Sequence, residues 1–351
     1  MNYGIELAKK LVAQKTLTEN EYCHLIEHYD PEIAAYLAQQ AVAVRQAIYG
    51  TDVYVRGLIE IGNVCKNDCL YCGIRRSNRN CQRYTLSSEE ILERCRIGYR
   101  LGFRTFVLQG GEHPGLDNDA LCALLLSIKN EFPDCAITLS IGERSLESYR
   151  KLRQAGADRY LLRHETADPD HYALLHPHEM SFANRMQCLH DLKALGYQVG
   201  CGFMVGSPYQ TPAHLAKDLK FIEAFQPEMC GIGPFVPHSD TPLGTHPAGT
   251  VELTCYLLSI IRLICPKVLL PATTALGTIH PNGREMGILS GANVVMPNLS
   301  PNEVRKKYTL YNNKLSDGAE AAECLETLCN RMESIGYRVV PHRGDHIDSQ
   351  V

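Results

Sequence analysis

The feature that most constrains this chain is a group of three cysteines, Cys65, Cys69 and Cys72, with the spacing C-x3-C-x2-C. The group follows an apolar run at residues 53–61 that predicts a buried strand. Cysteine thiolates are the usual ligands of iron–sulfur clusters, and a four-iron cluster takes four ligands. Three thiolates therefore leave one iron open to bind another group.

A structural zinc ion is the alternative interpretation, since three clustered cysteines could hold zinc with a fourth ligand from elsewhere. Zinc sites usually pair C-x2-C units or add histidines at fixed spacing, and neither pattern occurs near Cys65. Cys81, the nearest further thiol, lies in a polar stretch without a companion. The spacing favours the cluster. With Tyr71 just before the third cysteine, it resembles the signature of the radical S-adenosylmethionine (SAM) enzymes, in which the amino and carboxylate groups of SAM chelate the open iron.

Charge and composition narrow the class of protein. The 351 residues carry a net charge of −4, which gives no reason to expect binding to nucleic acid or to a membrane surface. The first residues lack the layout of a secretory signal, and no apolar run reaches the length of a membrane span. Most of the fifteen cysteines stand singly in helical patterns, which is typical of buried reduced thiols. We therefore expect a cytoplasmic protein, and a SAM-cleaving cluster would need that reducing compartment.

Strand-like and helical patterns alternate from residue 53 onward. The strand-like runs are residues 53–61, 105–108, 136–141, 159–162, 198–205, 230–235, 268–271 and 292–296. The helical patterns between them are residues 88–101, 119–132, 145–155, 181–195, 212–225, 253–265 and 284–290. Eight strands alternating with helices predict an α/β fold with a parallel sheet, and eight is the number that closes a TIM-type (β/α)8 barrel. An open doubly wound sheet is the alternative.

The segments outside this alternation predict extensions of the barrel. Thr18 and Glu21 form a capping box, and Asp30 followed by Pro31 is a typical helix start. We therefore expect an N-terminal helical extension at residues 1–50 and the barrel at residues 51–300. Residues 301–351 are expected to form a C-terminal extension that packs on the barrel as a short cap, with one helix at residues 320–335 and a polar tail.

Polar or glycine-rich residues follow every predicted strand. In a barrel the carboxyl ends of the strands form one face, where catalytic groups gather. After the second strand, Gly110 and Gly111 let the backbone approach a ligand closely, and Glu112 offers a carboxylate to a cation such as the amino group of SAM. Each feature has a structural alternative, such as a simple turn for the glycines or a local salt-bridge cluster at residues 163–165. The prediction of one continuous site depends on their coincidence at one face.

Several of these stretches together resemble the HydE family, the radical SAM maturases of the [FeFe]-hydrogenase. The matching stretches are residues 53–60, 107–112, 157–167, 231–238, 271–275 and 291–298. The resemblance extends from about residue 50 to residue 311. More distantly, the chain is similar to biotin synthase and methylornithine synthase, which share the barrel.

This resemblance implies one [4Fe–4S] cluster on the three cysteines, whose reduced form splits SAM into methionine and a 5′-deoxyadenosyl radical. Glu112 would hold the amino group of SAM. Glu165 matches a position at the ribose and amino region, and Arg185 matches one near the carboxylate. The residues expected around SAM are Tyr71, Gly110, Gly111, Glu112, Ser140, Glu165, Arg185 and Met204. The residues expected to line the substrate cavity are Gln109, Arg163, Thr273, Thr274, Met296 and Tyr311.

The resemblance also implies a substrate and partners. The substrate would be a small cysteine-bound iron complex with carbonyl and cyanide ligands, made by a partner radical SAM maturase. The product would go towards the di-iron subsite of the hydrogenase H-cluster, by way of a scaffold GTPase maturase. A reductant such as ferredoxin or flavodoxin would supply the electron. Oxygen would inactivate the protein, because the open iron is accessible.

The C-terminal region departs from two patterns among these maturases. Some HydE members carry a second cluster on cysteines spaced C-x7-C-x2-C, whereas only Cys324 and Cys329 occur here, with Ser316 and Thr327 near the positions of other thiols. We therefore expect no second cluster. The cysteine-containing C-terminal domain of the tyrosine-cleaving maturase has no counterpart, which argues against tyrosine lyase activity. The open alternatives are a methylornithine synthase-like mutase acting on an organic amino acid and an iron–sulfur scaffold without SAM chemistry.

Overall fold

The computed structural model describes residues 3–316 and 321–349. Its α-helices are α1 Tyr3–Gln14, α2 Glu19–Glu27, α3 Pro31–Tyr49, α4 Ser88–Arg100, α5 Asn118–Glu131, α6 Leu146–Gln154, α7 Pro169–Leu175, α8 Phe182–Ala194, α9 Pro212–Phe225, α10 Val251–Ile264, α11 Thr274–Ile279, α12 Gly283–Ile288, α13 Asn302–Arg305 and α14 Leu325–Ser334. Its strands are β1 Asp52–Val55, β2 Gly57–Gly62, β3 Thr105–Gly110, β4 Ala136–Ser140, β5 Arg159–Leu161, β6 Gln198–Cys201, β7 Met204–Val205, β8 Met229–Cys230, β9 Gly233–Pro234, β10 Val294–Val295 and β11 Arg338–Val340.

The strands pair in parallel and in the order of the chain. β2, β3, β4, β5, β6 and β8 form one sheet, and β10, β1 and β11 form another. Parallel bridges link the two sheets. These are Met229 with Leu269, Pro271 with Val294, and Leu58 with Asn298. The pairing thus passes through all eight predicted strand regions and returns to the first, which is the order of a TIM-type barrel.

The strands are shorter and more broken than the apolar runs that predicted them. The predicted first strand is divided into β1 and β2, the fifth into β6 and β7, and the sixth into β8 and β9. Gly202, between β6 and β7, has a φ of +151°, and a Cβ there would lie 2.1 Å from the Gly231 carbonyl oxygen. The run at 268–271 contains only isolated bridges. The hydrophobic runs predict which residues are buried. The length of a strand depends instead on how well its backbone aligns with that of its neighbours, and the strong twist of a barrel interrupts this alignment.

The predicted helices are confirmed, with small shifts at their ends. The Thr18 capping box opens α2, and Asp30 caps α3 with Pro31 in the first turn. The short helices α7, α11 and α13 were not predicted. The C-terminal helix was predicted from Glu320, which lies outside the described residues, and α14 begins at Leu325 after a 3-10 turn. Within the described ranges, none of the helices is long and apolar enough to cross a membrane.

The N-terminal helices pack outside the barrel, with α2 against α9 and α3 against α10. Leu11, Tyr22 and Leu37 belong to the same apolar core as Leu219 of α9 and Leu257 of α10. The helical extension is therefore part of the main core. The domain boundaries at residues 50 and 300 stay a prediction.

The C-terminal segment contacts the barrel through a strand, β11, that the sequence did not indicate. β11 pairs in parallel with β1. The Arg343 carbonyl oxygen then accepts hydrogen bonds from Thr105 Oγ1 and Arg159 Nη2, both at 2.7 Å. Thr105 and Arg159 begin β3 and β5, so the polar tail covers the amino-terminal ends of the strands. The carboxyl ends, at the opposite side, carry the candidate site.

Candidate active site

The cysteine loop, residues 63–78, leaves the carboxyl end of β2 and is held at both ends by backbone hydrogen bonds. Lys66 N donates to the Glu112 carbonyl oxygen at 2.9 Å, and Gly73 N donates to the Leu310 carbonyl oxygen at 2.8 Å. The loop is therefore tied to the end of the second strand region and to the C-terminal part of the chain. These ties bring all three cysteines to the carboxyl face of the barrel.

Arg83 fixes the far side of this loop, a role that the sequence analysis missed. Its Nη1 donates to the carbonyl oxygens of Asn63 and Ile74, both at 2.7 Å. Its Nη2 donates to the carbonyl oxygens of Arg75 and Asn78, at 2.5 and 3.1 Å. A guanidinium has five donors in a rigid plane, so one side chain satisfies four carbonyls of an irregular loop. The arginine-rich stretch after Cys72 was the available signal.

The three cysteine thiols lie near enough to one another for their charges to interact. Burial, with repulsion from Cys65, raises the pKa of Cys72 to about 12. Burial also raises the pKa of Cys69, and the neighbouring Cys72 adds to this effect, while Arg185 opposes it. Among the described residues, no three histidine, cysteine, aspartate or glutamate side chains are arranged to hold one metal ion. In a four-iron cluster each thiolate binds a different iron, so its ligands need not converge on one point.

Glu112 lies buried beside the cysteine loop. Its Oε1 accepts a hydrogen bond from Glu143 N at 2.9 Å, and its Oε2 lies 3.3 Å from Lys66 Nζ. Gly142 has a φ of +80°, and a Cβ there would lie 1.8 Å from Glu112 Cγ. A Cβ at Gly111 would collide with the backbone of the cysteine loop. Gly142 thus makes room for the Glu112 carboxylate at the edge of a cleft of about 340 Å³, and Gly111 makes room for the cysteine loop.

Arg163, Glu165 and Arg185 form a charged cluster beyond β5. Arg163 Nη2 lies 3.1 Å from Glu165 Oε2 without the alignment of a hydrogen bond. Within the described chain, Arg163 Nε and Nη2 and Glu165 Oε2 are buried atoms without a hydrogen-bond partner. Arg185 Nη1 donates to the Arg163 carbonyl oxygen at 2.6 Å, and its Nε pairs with Glu143. Burial alone would lower the pKa of Arg185, but Tyr172 and Glu143 raise it. Apart from the ion pair between Arg163 and Glu165, these buried charged atoms have unused hydrogen-bonding capacity, which suits a polar ligand.

Gln109 and Ser140 belong to the interior wall of the barrel. The register places Glu60, Gln109 and Ser140 side by side on β2, β3 and β4, so their side chains project to the same side of the sheet. Gly110 follows Gln109 as the last residue of β3. The predicted cavity residue Gln109 and the predicted cofactor residue Ser140 are therefore neighbours.

The seventh and eighth strand regions carry the remaining predicted cavity residues of the strands. Thr273 precedes α11, and its Oγ1 is buried without a hydrogen-bond partner in the described residues. Thr274 begins α11, and its hydroxyl lies 3.5 Å from Arg284 Nη2. Met296 packs on the apolar cluster that contains Met229. These regions thus combine an unpartnered hydroxyl with apolar surface.

A covering segment, residues 306–316, crosses the mouth of the barrel and includes the predicted cavity residue Tyr311. It is tied to loops that follow the first, sixth and seventh strand regions. The bonds run from Asn63 Nδ2 to Lys307 O, from Gly73 N to Leu310 O, from Asn312 N to Pro237 O and from Leu315 N to Thr278 Oγ1. The covering segment therefore closes much of the face on which the strand ends meet.

The covering segment also sends Lys314 to Glu60, a buried ion pair that the sequence analysis missed. Lys314 Nζ lies 2.6 Å from Glu60 Oε1, and Asn298 Nδ2 donates to Glu60 Oε2 at 3.0 Å. The side chains of Lys314 and Glu60 are 8% and 0% exposed. A charged residue inside the apolar run at 53–61 was the only signal in the sequence.

Tyr71 and Met204 meet in a small apolar cluster beside the cysteine loop. Met204 packs there with Leu175 and Phe235, and Tyr71 contacts this cluster. Tyr71 OH lies 3.2 Å from His176 Nε2. Burial, with the charge of Arg185, lowers the pKa of His176 to about 3, so the ring is neutral. His176 was not predicted, because it lies in the loop after α7, a helix that was also missed.

The chain is similar to several known proteins. Residues 59–222 match the family model described as the Radical SAM superfamily. The chain is 44% identical over 302 residues to the [FeFe] hydrogenase maturase subunit HydE of Thermotoga maritima, which covers 86% of each chain. The crystal structure of methylornithine synthase (PylB) matches with a TM-score of 0.84 and 26% identity over 95% of this chain and 97% of that one. A structure of HydG, a maturase of the [FeFe]-hydrogenase, shares the fold with a TM-score of 0.78 and 22% identity over 96% of this chain and 75% of that one.

Proposed function

Because this chain belongs to the HydE family of radical SAM [FeFe]-hydrogenase maturases, we propose that it processes a small cysteine-bound iron complex with carbonyl and cyanide ligands during assembly of the H-cluster di-iron subsite. The observation that carries the proposal is the 44% identity to HydE over 86% of both chains. The candidate site supports it residue by residue.

Cys65, Cys69 and Cys72 would hold the [4Fe–4S] cluster. When bound and reduced, this cluster supplies an electron that splits SAM into methionine and a 5′-deoxyadenosyl radical. The loop that carries the thiols is fixed on both sides, by the Glu112 and Leu310 carbonyls and by Arg83. A preorganised loop lowers the entropic cost of ordering three ligands around one cluster. Cys324 lies outside this loop, and we propose a single cluster.

SAM would bind across the carboxyl face between Glu112 and the charged cluster. The Glu112 carboxylate, next to Gly142, suits the amino group of SAM. Glu165 Oε2, which accepts no hydrogen bond from the described residues, suits the ribose hydroxyls, and the Arg185 guanidinium suits the carboxylate. Tyr71, Met204, Ser140 and the two glycines 110 and 111 would complete the contacts.

The substrate would occupy the interior between Gln109 and Thr273. Arg163 Nε and Nη2 and Thr273 Oγ1 offer buried donors to cyanide or carboxylate groups, while Met296 offers apolar contact. Thr274 and Tyr311 would line the rest. The covering segment would keep water away from the reacting groups.

We propose that the partners are the maturase that makes the iron complex, the scaffold GTPase maturase and the hydrogenase. A small electron carrier such as ferredoxin or flavodoxin would reduce the cluster. The protein would work in the cytoplasm, and oxygen would inactivate it.

The second candidate is a mutase acting on an organic amino acid. It is favoured by the structural match to methylornithine synthase over 95% of this chain. The lower identity to that protein, 26% against 44% for HydE, makes it the weaker candidate.

The deciding experiment is cell-free maturation of apo [FeFe]-hydrogenase, with this protein supplied or omitted beside the partner maturases. We expect hydrogen evolution to require the protein. The Cys69→Ala variant should give none, and Cys324→Ala should behave as the natural chain, with the same iron content. Activity that is independent of the protein, together with SAM cleavage stimulated by lysine, would instead establish the mutase. An electron paramagnetic resonance spectrum of the reduced cluster that SAM leaves unchanged would establish the scaffold.

A further inference from the structure

Glu165, which the proposed function places against SAM, has an unusual backbone conformation. Its φ is +67°, in the left-handed region that residues with a side chain rarely adopt. Glu165 N donates to the Gly202 carbonyl oxygen at 3.0 Å, and its own carbonyl accepts from Met204 N at 3.3 Å. Such a conformation persists only where the surroundings over-determine it, and it is common at ligand sites. Neighbouring side chains must therefore hold Glu165 in this conformation.

Asp218 of α9 meets the chain on both sides of Glu165. Asp218 Oδ1 accepts a hydrogen bond from Ala167 N at 2.6 Å and lies 3.2 Å from His164 Nε2. Gly202 N donates to His164 Nδ1 at 3.3 Å, which makes Nδ1 the acceptor and Nε2 the donor of that ring. One carboxylate oxygen therefore binds the residue before Glu165 and the residue two positions after it.

The pair formed by His164 and Asp218 lies wholly in the protein interior, where neighbouring side chains fix its position. The side chains of His164 and Asp218 are both 0% exposed. The His164 ring packs on Phe221, with ring centroids 4.7 Å apart, and on Phe203 at 5.9 Å. Burial raises the pKa of Asp218 and lowers that of His164 to about 3, so the ring is neutral. Within the described residues, Asp218 Oδ2 has no hydrogen-bond partner.

We propose that Asp218 and His164 are positioning residues for SAM, which clamp Glu165 in the left-handed conformation and thereby aim its carboxylate into the site. A carboxyl group buried with one oxygen unpartnered is a costly way to join a helix to a loop. The cost is explained if the clamp serves Glu165, because a single oxygen, Asp218 Oδ1, contacts both flanking residues. The inference rests on the proposed contact between Glu165 and SAM.

The test measures SAM binding on the cluster-loaded protein, without partner maturases, by titrating SAM into the reduced enzyme and following the electron paramagnetic resonance spectrum. We expect Asp218→Ala to raise the Kd for SAM about tenfold or more, which corresponds to about 1.4 kcal/mol per tenfold. Asp218→Asn should stay within about twofold of the natural chain, because its amide oxygen accepts the same two hydrogen bonds. Hydrogen exchange at the Ala167 amide should accelerate in Asp218→Ala and not in Asp218→Asn.

Two further variants make the result decisive. His164→Phe keeps the ring volume between Phe203 and Phe221 and removes the hydrogen bonds, so it should weaken SAM binding even if Asp218→Ala does not fold. Ile222→Ala, at another fully buried position of α9, should lower the unfolding temperature and leave the Kd unchanged.

Three outcomes would overturn the inference. The first is a natural Kd in folded Asp218→Ala or His164→Phe, and the second is an Asp218→Asn variant as weak as Asp218→Ala. The third is a natural Kd in Glu165→Ala, which would remove the contact on which the clamp depends. Because hydrogenase maturation is measured separately, failure of the clamp and failure of the maturase function are distinguishable.

Discussion

At the scale of single residues, the shape of the site depends on a glycine that makes room for a carboxylate. Glu112 was predicted from its position after Gly110 and Gly111, but the glycine that contacts its side chain is Gly142, in the next strand's loop. Gly142 and Gly196 both have a positive φ, +80° and +74°. They differ in that nothing lies within 4 Å of a Cβ built at Gly196.

This difference gives a matched pair of substitutions. Gly196→Ala should destabilise the fold by about 1 kcal/mol, because alanine disfavours a positive φ, and Gly142→Ala should destabilise it by more, because its Cβ would also meet the Glu112 side chain. Only Gly142→Ala should displace Glu112, and loss of the proposed charge-assisted hydrogen bond from SAM to Glu112 should raise the Kd about tenfold to a hundredfold. Thermal unfolding and SAM titration measure the two effects. Equal Kd values in both variants would show that Glu112 does not hold SAM.

At the scale of elements, the covering segment turns a set of strand ends into an enclosed site. A loop of mixed polar residues gives no periodic signal, so the sequence identified only Tyr311 in it. The structure adds Lys314, which reaches the interior beside Gln109 by pairing with Glu60. The pair joins residues that are 254 positions apart.

Breaking this pair should be costly. Lys314→Met should lower the free energy of unfolding by about 3–5 kcal/mol, because it leaves the buried Glu60 carboxylate with Asn298 as its one side-chain partner among the described residues. The double variant Glu60→Gln, Lys314→Met should recover part of this loss, which a double-mutant cycle in urea would measure. Lys267→Met, at a half-exposed lysine paired with Asp348, serves as the control and should change little. Additive losses in the double variant would mean that the two charges do not depend on each other.

At the scale of the whole molecule, the C-terminal tail closes the end of the barrel opposite the site. Asp345 Oδ1 lies 2.6 Å from Arg159 Nη2, and Asp345 Oδ2 accepts from Arg343 Nε at 2.7 Å. Burial alone would raise the pKa of Asp345, but Arg159 and Arg343 lower it well below the usual 3.8. Because the folded state holds Asp345 charged more strongly than the unfolded state does, this contribution is complete above pH 3.8 and is lost as the pH falls towards the lowered value.

The loss of folding stability at acid pH should therefore depend on Asp345. At pH 7, Asp345→Asn should lower the free energy of unfolding by about 3 kcal/mol, since it leaves the buried Arg159 without its carboxylate. This difference should shrink below pH 3.8, where Asp345 of the unfolded natural chain begins to take up a proton while that of the folded chain stays charged. Urea unfolding followed by circular dichroism at several pH values, on the cluster-free chain because acid displaces iron from thiolates, measures it. A difference that stays constant down to the lowest pH would contradict the assignment.

The features that the sequence determined by itself are those that residues close in the chain can specify. The Thr18 capping box and the start of α3 at Pro31 were predicted and are present, and the spacing of the three cysteines is itself a local feature of the sequence. A helix end or a ligand spacing involves neighbours a few positions apart, so local chemistry is sufficient. The alternation of apolar runs likewise predicted the order of strands and helices in the barrel.

Tertiary structure alone decided where distant segments meet. The two-residue strands, the pairing of β11 with β1, the Lys314–Glu60 pair and the Asp218 contacts around Glu165 have no local signal. Each depends on groups brought together by the packing of the barrel, often more than 200 positions apart. A hydrogen bond or an ion pair affects stability most where it is buried. These positions become buried only when the chain folds.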